Sequence, residues 1–107
     1  MKFDYSCKTD KRVIEASPYA LDYPKDVEKA PDTPGVYMLI DIVDNVLRVG
    51  KATGKGLKEE IKSVKETPVE KDVKKYRWFK TSSDDVAKEL EEDWLKKYQL
   101  NKNLVGK

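Results

Sequence analysis

Pro34-Gly35-Val36-Tyr37-Met38-Leu39-Ile40-Asp41, then Ile42-Val43-Asp44-Asn45, then Val46-Leu47-Arg48-Val49-Gly50-Lys51-Ala52 is the stretch whose reading decides the fold. Two apolar runs rich in strand-forming residues flank a polar break, so the segment predicts a β-hairpin. Asp44-Asn45 both tolerate the positive φ that a two-residue loop requires. With that loop Val43 faces Val46, Asp41 lies opposite Arg48, Leu39 opposite Gly50 and Tyr37 opposite Ala52. Period two then sets Tyr37, Asp41 and Arg48 on one face, whereas a three-residue loop would send Arg48 to the other. Tyr37, Arg48 and Lys51 are the polar-tipped exceptions in an otherwise apolar hairpin.

Downstream, Leu57, Ile61 and Val64 recur at i, i+4 and i+7 with Lys58, Glu59, Glu60 and Lys62 around them. This pattern predicts a helix over 56–66, stopped by Thr67-Pro68. Residues 69–75 read as a charged loop, and Tyr76-Arg77-Trp78-Phe79-Lys80 as the third strand. Ser82 followed by Asp85 resembles a capping box for a last helix, whose stripe of Ala87, Leu90, Trp94, Leu95 and Tyr98 runs to about residue 99. Glu91 stands four residues from both Ala87 and Leu95, which places a carboxylate on or beside the buried face. Trp78 and Trp94 read as core anchors.

Upstream, Pro18, Pro24, Pro31 and Pro34 forbid a long helix or a central strand over 17–34. Asp26–Ala30 suits one helical turn, and Tyr19 and Tyr23 are available to pack on the domain. Residues 1–16 alternate loosely, as a short strand or an ordered arm. The division is an N-terminal arm and Pro-rich connector over 1–33, packed on a domain over 34–107. The fold class is α+β: a small mixed or antiparallel three-stranded sheet flanked by helices.

At 107 residues the chain suits one core. With no histidine and a single cysteine, Cys7, it has neither an internal disulfide nor Ser-His or Cys-His catalysis, and any metal would sit on oxygen ligands. No apolar run approaches the roughly 18 residues of a membrane span, and the N-terminus has no apolar signal core, so a soluble, cytoplasmic protein is expected. The net charge of +2 is small but uneven: +6 over residues 48–80, against −3 over 1–47 and −1 over 81–107. That middle excess suits either a solvated helix face or a phosphate-facing surface of Lys51, Lys55, Lys58 and Lys62.

Hairpin, helix, strand and helix in this order, with Gly35-Val36-Tyr37 on the first strand and Arg48-Val49-Gly50-Lys51-Ala52 closing the second, resemble the GIY-YIG nuclease domain. Leu90-Glu91, then Lys97-Tyr98-Gln99 and Asn103, are similar to the stretch that carries that family's metal-binding glutamate and a later asparagine. The resemblance covers residues 34–103 and is similar in this part to the catalytic domain of excision-repair nucleases. It implies phosphodiester cleavage with one divalent cation, Mg²⁺ or Mn²⁺. Tyr37 would activate or orient water, Glu91 would hold the metal, and Gly35, Gly50 and Asn103 would support the site.

Two departures bear on activity. Arg48 stands where the second signature has tyrosine, and Glu60 falls where the first helix of the family carries a phosphate-binding arginine. Arg48 either pairs with Asp41 across the strands, which the expected register favours, or turns to the phosphate in place of the helix arginine. The resulting expectation is a divergent GIY-YIG-like domain that binds nucleic acid, DNA being the natural partner, with cleavage reduced or lost. The alternatives are an active Mg²⁺-dependent DNA endonuclease using Tyr37, Arg48 and Glu91, and a non-enzymatic protein-interaction domain.

Overall fold

Every side chain of the strand β3, Gly35–Ile40, is buried, as a continuous apolar run with no polar face requires of a central strand. It pairs antiparallel with β4, Val46–Ala52, on one side and with β5, Lys75–Lys80, on the other. The structure is a computed structural model and describes residues 1–54, 56–64 and 71–100. Two further strands of two residues each, β1 (Glu15–Ala16) and β2 (Leu21–Asp22), line the outer edge of β5. Among the described residues the result is an antiparallel sheet of five strands rather than three, in a small α+β fold with two helices. Two-residue strands are too short to show a period, which is why the N-terminal segment does not announce them in sequence.

The hairpin register differs from expectation by two residues: Tyr37 lies opposite Gly50, Gly35 opposite Ala52 and Leu39 opposite Arg48. Asp41 is the cause. Its carboxylate accepts hydrogen bonds from the backbone N–H of Val43 and Asn45 and from Asn45 Nδ2, so it closes a five-residue loop in place of pairing with Arg48. Asp44 takes the left-handed conformation at φ 68°. Leu47 is an extra residue between the Ile40–Val46 and Leu39–Arg48 pairs. A shift of two keeps the side-chain parity, so Tyr37 and Arg48 do share a face.

That face is covered by helix α1, Leu57–Val64, which buries Leu57, Ile61 and Val64 as the spacing predicts. Its first amides are taken by the connector: Leu57 N–H donates to the Thr33 carbonyl at 2.8 Å and Lys58 N–H to the Pro31 carbonyl at 3.0 Å. The connector carries one 3₁₀ turn, Val27–Lys29, and lays Val27, Ala30 and half-buried Tyr23 against the same core, whereas Tyr19 is exposed. The expected Thr67-Pro68 helix stop lies outside the described residues.

Helix α2, Asp84–Lys97, covers the opposite face, packing Ala87, Leu90, Trp94 and Leu95 on Val36, Met38, Val49 and Phe79. Its N-cap is Ser83, whose hydroxyl accepts from Val86 N–H, one residue later than the expected Ser82. Trp94 meets Phe79 edge-on at 4.7 Å, and Trp78 is buried on the other side of β5. The N-terminal arm completes this layer with Phe3 and Cys7. Arg12 ties the arm to the helix through Asp93 at 2.6 Å and Glu89 at 3.1 Å. Among the described residues no helix is long and apolar enough to cross a membrane.

Candidate functional site

Tyr37 lies across Gly50 on the α1 side of the sheet; a Cβ at Gly50 would overlap the tip of its ring and its hydroxyl. A glycine opposite the tyrosine is therefore what lets the ring lie flat over the edge strand. Gly35 makes a similar allowance, since a Cβ there would strike the Phe79 carbonyl and Leu57. Gly35 and Gly50 thus both have packing reasons to be where they are.

Arg48 sits on the same face and is 9% exposed, yet its Nη1 has no hydrogen-bond partner. Buried guanidinium groups are normally paired, because leaving a charge without compensating bonds costs on the order of several kcal/mol. The charge acts on its surroundings: it favours ionisation of Tyr37, though burial is the larger influence and pushes that hydroxyl well above its ordinary value. Glu60 and Glu91 also raise it. Arg48 has the same effect on Tyr23, where burial again dominates and raises the phenol.

Glu91 is buried, at 6% exposed, but on α2, on the other face of the sheet from Tyr37. Its Oε1 approaches Lys51 Nζ at 3.6 Å and has no hydrogen-bond partner. Lys51 reaches it because position 51 alternates with position 50 and so points to the α2 side. Tyr37 and Glu91 therefore influence one another around the edge strand β4 instead of sharing one face.

The other lysines of the expected surface are paired with the connector. Lys62 Nζ meets Glu28 at 2.8 Å and Lys58 Nζ meets Asp32 at 3.6 Å. The acidic N-terminal third thus lies against the basic middle of the chain and offsets part of its charge. Lys55 and Asn103 lie outside the described residues.

Among the described residues the donor set does not fit a resident Mg²⁺ or Mn²⁺. Glu91 offers a single carboxylate that already faces an ammonium, and among the described residues no group of three or more His, Cys, Asp or Glu side chains could hold a metal ion. Two residues here carry no functional expectation from the sequence. Tyr23, on the connector, has a buried hydroxyl with no partner, and Arg77, in β5, is a second buried arginine with Nε and Nη1 unpartnered. Arg77 stacks on Phe3 at 4.1 Å, which gives it a structural role in holding the arm. Its signal in the sequence is the same as that of Arg48, a guanidinium set within an apolar strand. No protein-family model matches the chain, and no curated protein matches it in sequence.

Proposed function

We propose that this chain is a GIY-YIG-like domain that binds a nucleic-acid backbone at the β4 edge, with phosphodiester cleavage reduced or lost. The observation that carries this reading is Arg48. Its guanidinium is not held by Asp41 and has a nitrogen without a partner, which suits the oxygen of a phosphate. That nitrogen is closed to solvent, so a phosphate would reach it only once the cover over it opens. Lys51 adds a second, partly exposed cation one residue beyond Gly50.

Weak or absent cleavage follows from two features. Burial keeps the Tyr37 hydroxyl protonated, so it is a poor base near neutral pH. Glu91 lies on the opposite face of the sheet from Tyr37 and faces Lys51 at 3.6 Å. The freed Arg48 also favours a second reading, an active endonuclease in which this guanidinium stabilises the phosphate charge that a helix arginine would otherwise meet.

Salt-dependent binding of a labelled DNA duplex, without cleavage when Mg²⁺ or Mn²⁺ is added, is the expected result. Cleavage that disappears in Glu91→Gln would overturn it in favour of the endonuclease. Absence of any binding at low salt would leave the interaction-domain reading.

A further inference from the structure

The tip of the β3–β4 hairpin, residues 41–45, holds its two apolar side chains out in water: Ile42 is 74% exposed and Val43 52%. Turns of this kind are ordinarily made of polar residues or glycine. Neither side chain is needed to hold the loop. The Asp41 carboxylate accepts from Val43 N–H, Asn45 N–H and Asn45 Nδ2, and Asp44 N–H donates to the Asp41 carbonyl. From outside, Lys2 Nζ donates to the Val43 carbonyl, Phe3 N–H to the Asp44 carbonyl and Lys75 Nζ to the Asp44 carboxylate at 2.7 Å. The tip is fixed through its main chain and its acids, so covering Ile42 and Val43 orders little that is not ordered already.

The charges around the tip decide what can cover it. Lys2, Lys75 and Lys74, whose N–H donates to the Ile40 carbonyl, stand against Asp41 and Asp44. A nucleic-acid backbone or an anionic lipid surface would meet the two acids that bracket Ile42-Val43. A second tip meets little net repulsion, because lysines and acids lying side by side face opposite signs across a two-fold axis. Strand-to-strand pairing is closed here: residues 1–3 already lie outside 44–46, through the Lys2–Asn45 bridge and Val46 N–H to the Met1 carbonyl at 2.7 Å. We infer that this tip is a self-complementary contact through which two copies of the chain associate, Ile42 and Val43 of one packing on those of the other. Two apolar residues a side fall far short of the roughly 20–30 residues a side of a stable interface, so the dimer is weak and reversible, with a Kd on the order of 0.1 mM. The inference needs nothing from the nucleic-acid reading.

Sedimentation equilibrium of the full chain from about 10 μM to about 1 mM brackets such a Kd. Ile42→Asn with Val43→Thr leaves the loop's hydrogen bonds in place, so thermal unfolding should be unchanged; Ile42→Asn alone serves if the pair does not fold. The expected result is a concentration-dependent dimer in the wild type that survives about 0.5 M salt, and association at least about tenfold weaker in the double variant. A wild type that stays monomeric at about 1 mM overturns the inference, as does a dimer that the double variant leaves intact. Association abolished by salt overturns it too, by showing a contact between charges. Vesicles of phosphatidylcholine and phosphatidylserine that take up the wild type but not the variant, with no dimer in solution, overturn it in favour of a lipid surface.

Discussion

Tyr37 and Glu91 lie on opposite faces of the sheet, with Gly50 and Lys51 of the edge strand between them. The strand alternation that turns Gly50 toward Tyr37 turns Lys51 toward Glu91. The carboxylate is almost fully buried, while the lysine is about one-third exposed, its side chain being 35% accessible against 8% for Glu91. Removing either partner therefore has unequal consequences. Lys51→Met strands a buried carboxylate and should cost about 1–2 kcal/mol. Glu91→Gln leaves a lysine that can turn to water and should cost less. Urea unfolding midpoints at neutral pH read the difference, and the double variant should recover part of the Lys51→Met loss. Equal losses in the two single variants would show that the pair is not asymmetric.

Gly50 is the position at which the Tyr37 ring has no room for a neighbour. Gly50→Ala should destabilise by about 1–3 kcal/mol through overpacking, since the obstacle is a ring held within a buried cluster. Tyr37→Leu in the same chain should return part of that loss by vacating the space over position 50. Chemical denaturation of the two single variants and the double variant measures the coupling. Additive losses would place the Tyr37 ring away from Gly50.

Buried phenols give the fold an alkaline limit. Burial, with a smaller contribution from Asp26, pushes the Tyr76 hydroxyl from 10.0 up to about 12, and burial raises Tyr37 and Tyr98 further. Tyr76 Oη also donates to the Asp26 carbonyl at 2.6 Å, a bond that ionisation abolishes. A folded-state value above the unfolded one means that the protonated form is favoured in the fold. The stabilisation is thus complete below the unfolded value of 10.0 and is lost as pH rises through about 12. Phenolate absorbance and circular dichroism followed together over this range should show these tyrosines ionising as the structure melts. Full ionisation of all six tyrosines with the fold intact would contradict it.

The sequence made local features legible where a period ran long enough to be read. Leu57, Ile61 and Val64 on α1 and Ala87, Leu90, Trp94 and Leu95 on α2 are buried as their spacing implies, and Glu91 falls among the latter. The hairpin register escaped because one side chain, Asp41, competes with the strands for the loop amides. A helical stripe says that α2 packs on the sheet but not on which face, so the separation of Glu91 from Tyr37 was invisible to periodicity. The same holds for Tyr23, Glu28 and Asp32, whose partners are distant in the chain and are fixed only when the connector docks.

Glu28 and Asp32 hold Lys62 and Lys58 at 2.8 and 3.6 Å, so the connector competes with any phosphate for these two lysines. Exposed ion pairs of this kind contribute little to stability, roughly 0–1 kcal/mol each, so they can be opened without unfolding the domain. Glu28→Gln with Asp32→Asn removes two negative charges beside α1 and leaves both ammonium groups available. If the bound strand runs over α1, binding of a DNA duplex should tighten severalfold, and its dependence on salt should steepen by about one unit for each phosphate that a released lysine neutralises. Thermal unfolding should stay within about 1 kcal/mol of the wild type. Tighter binding with an unchanged salt slope would point to a conformational effect of the connector, not to freed charge. No change in either quantity would count against a nucleic-acid surface that includes Lys58 and Lys62.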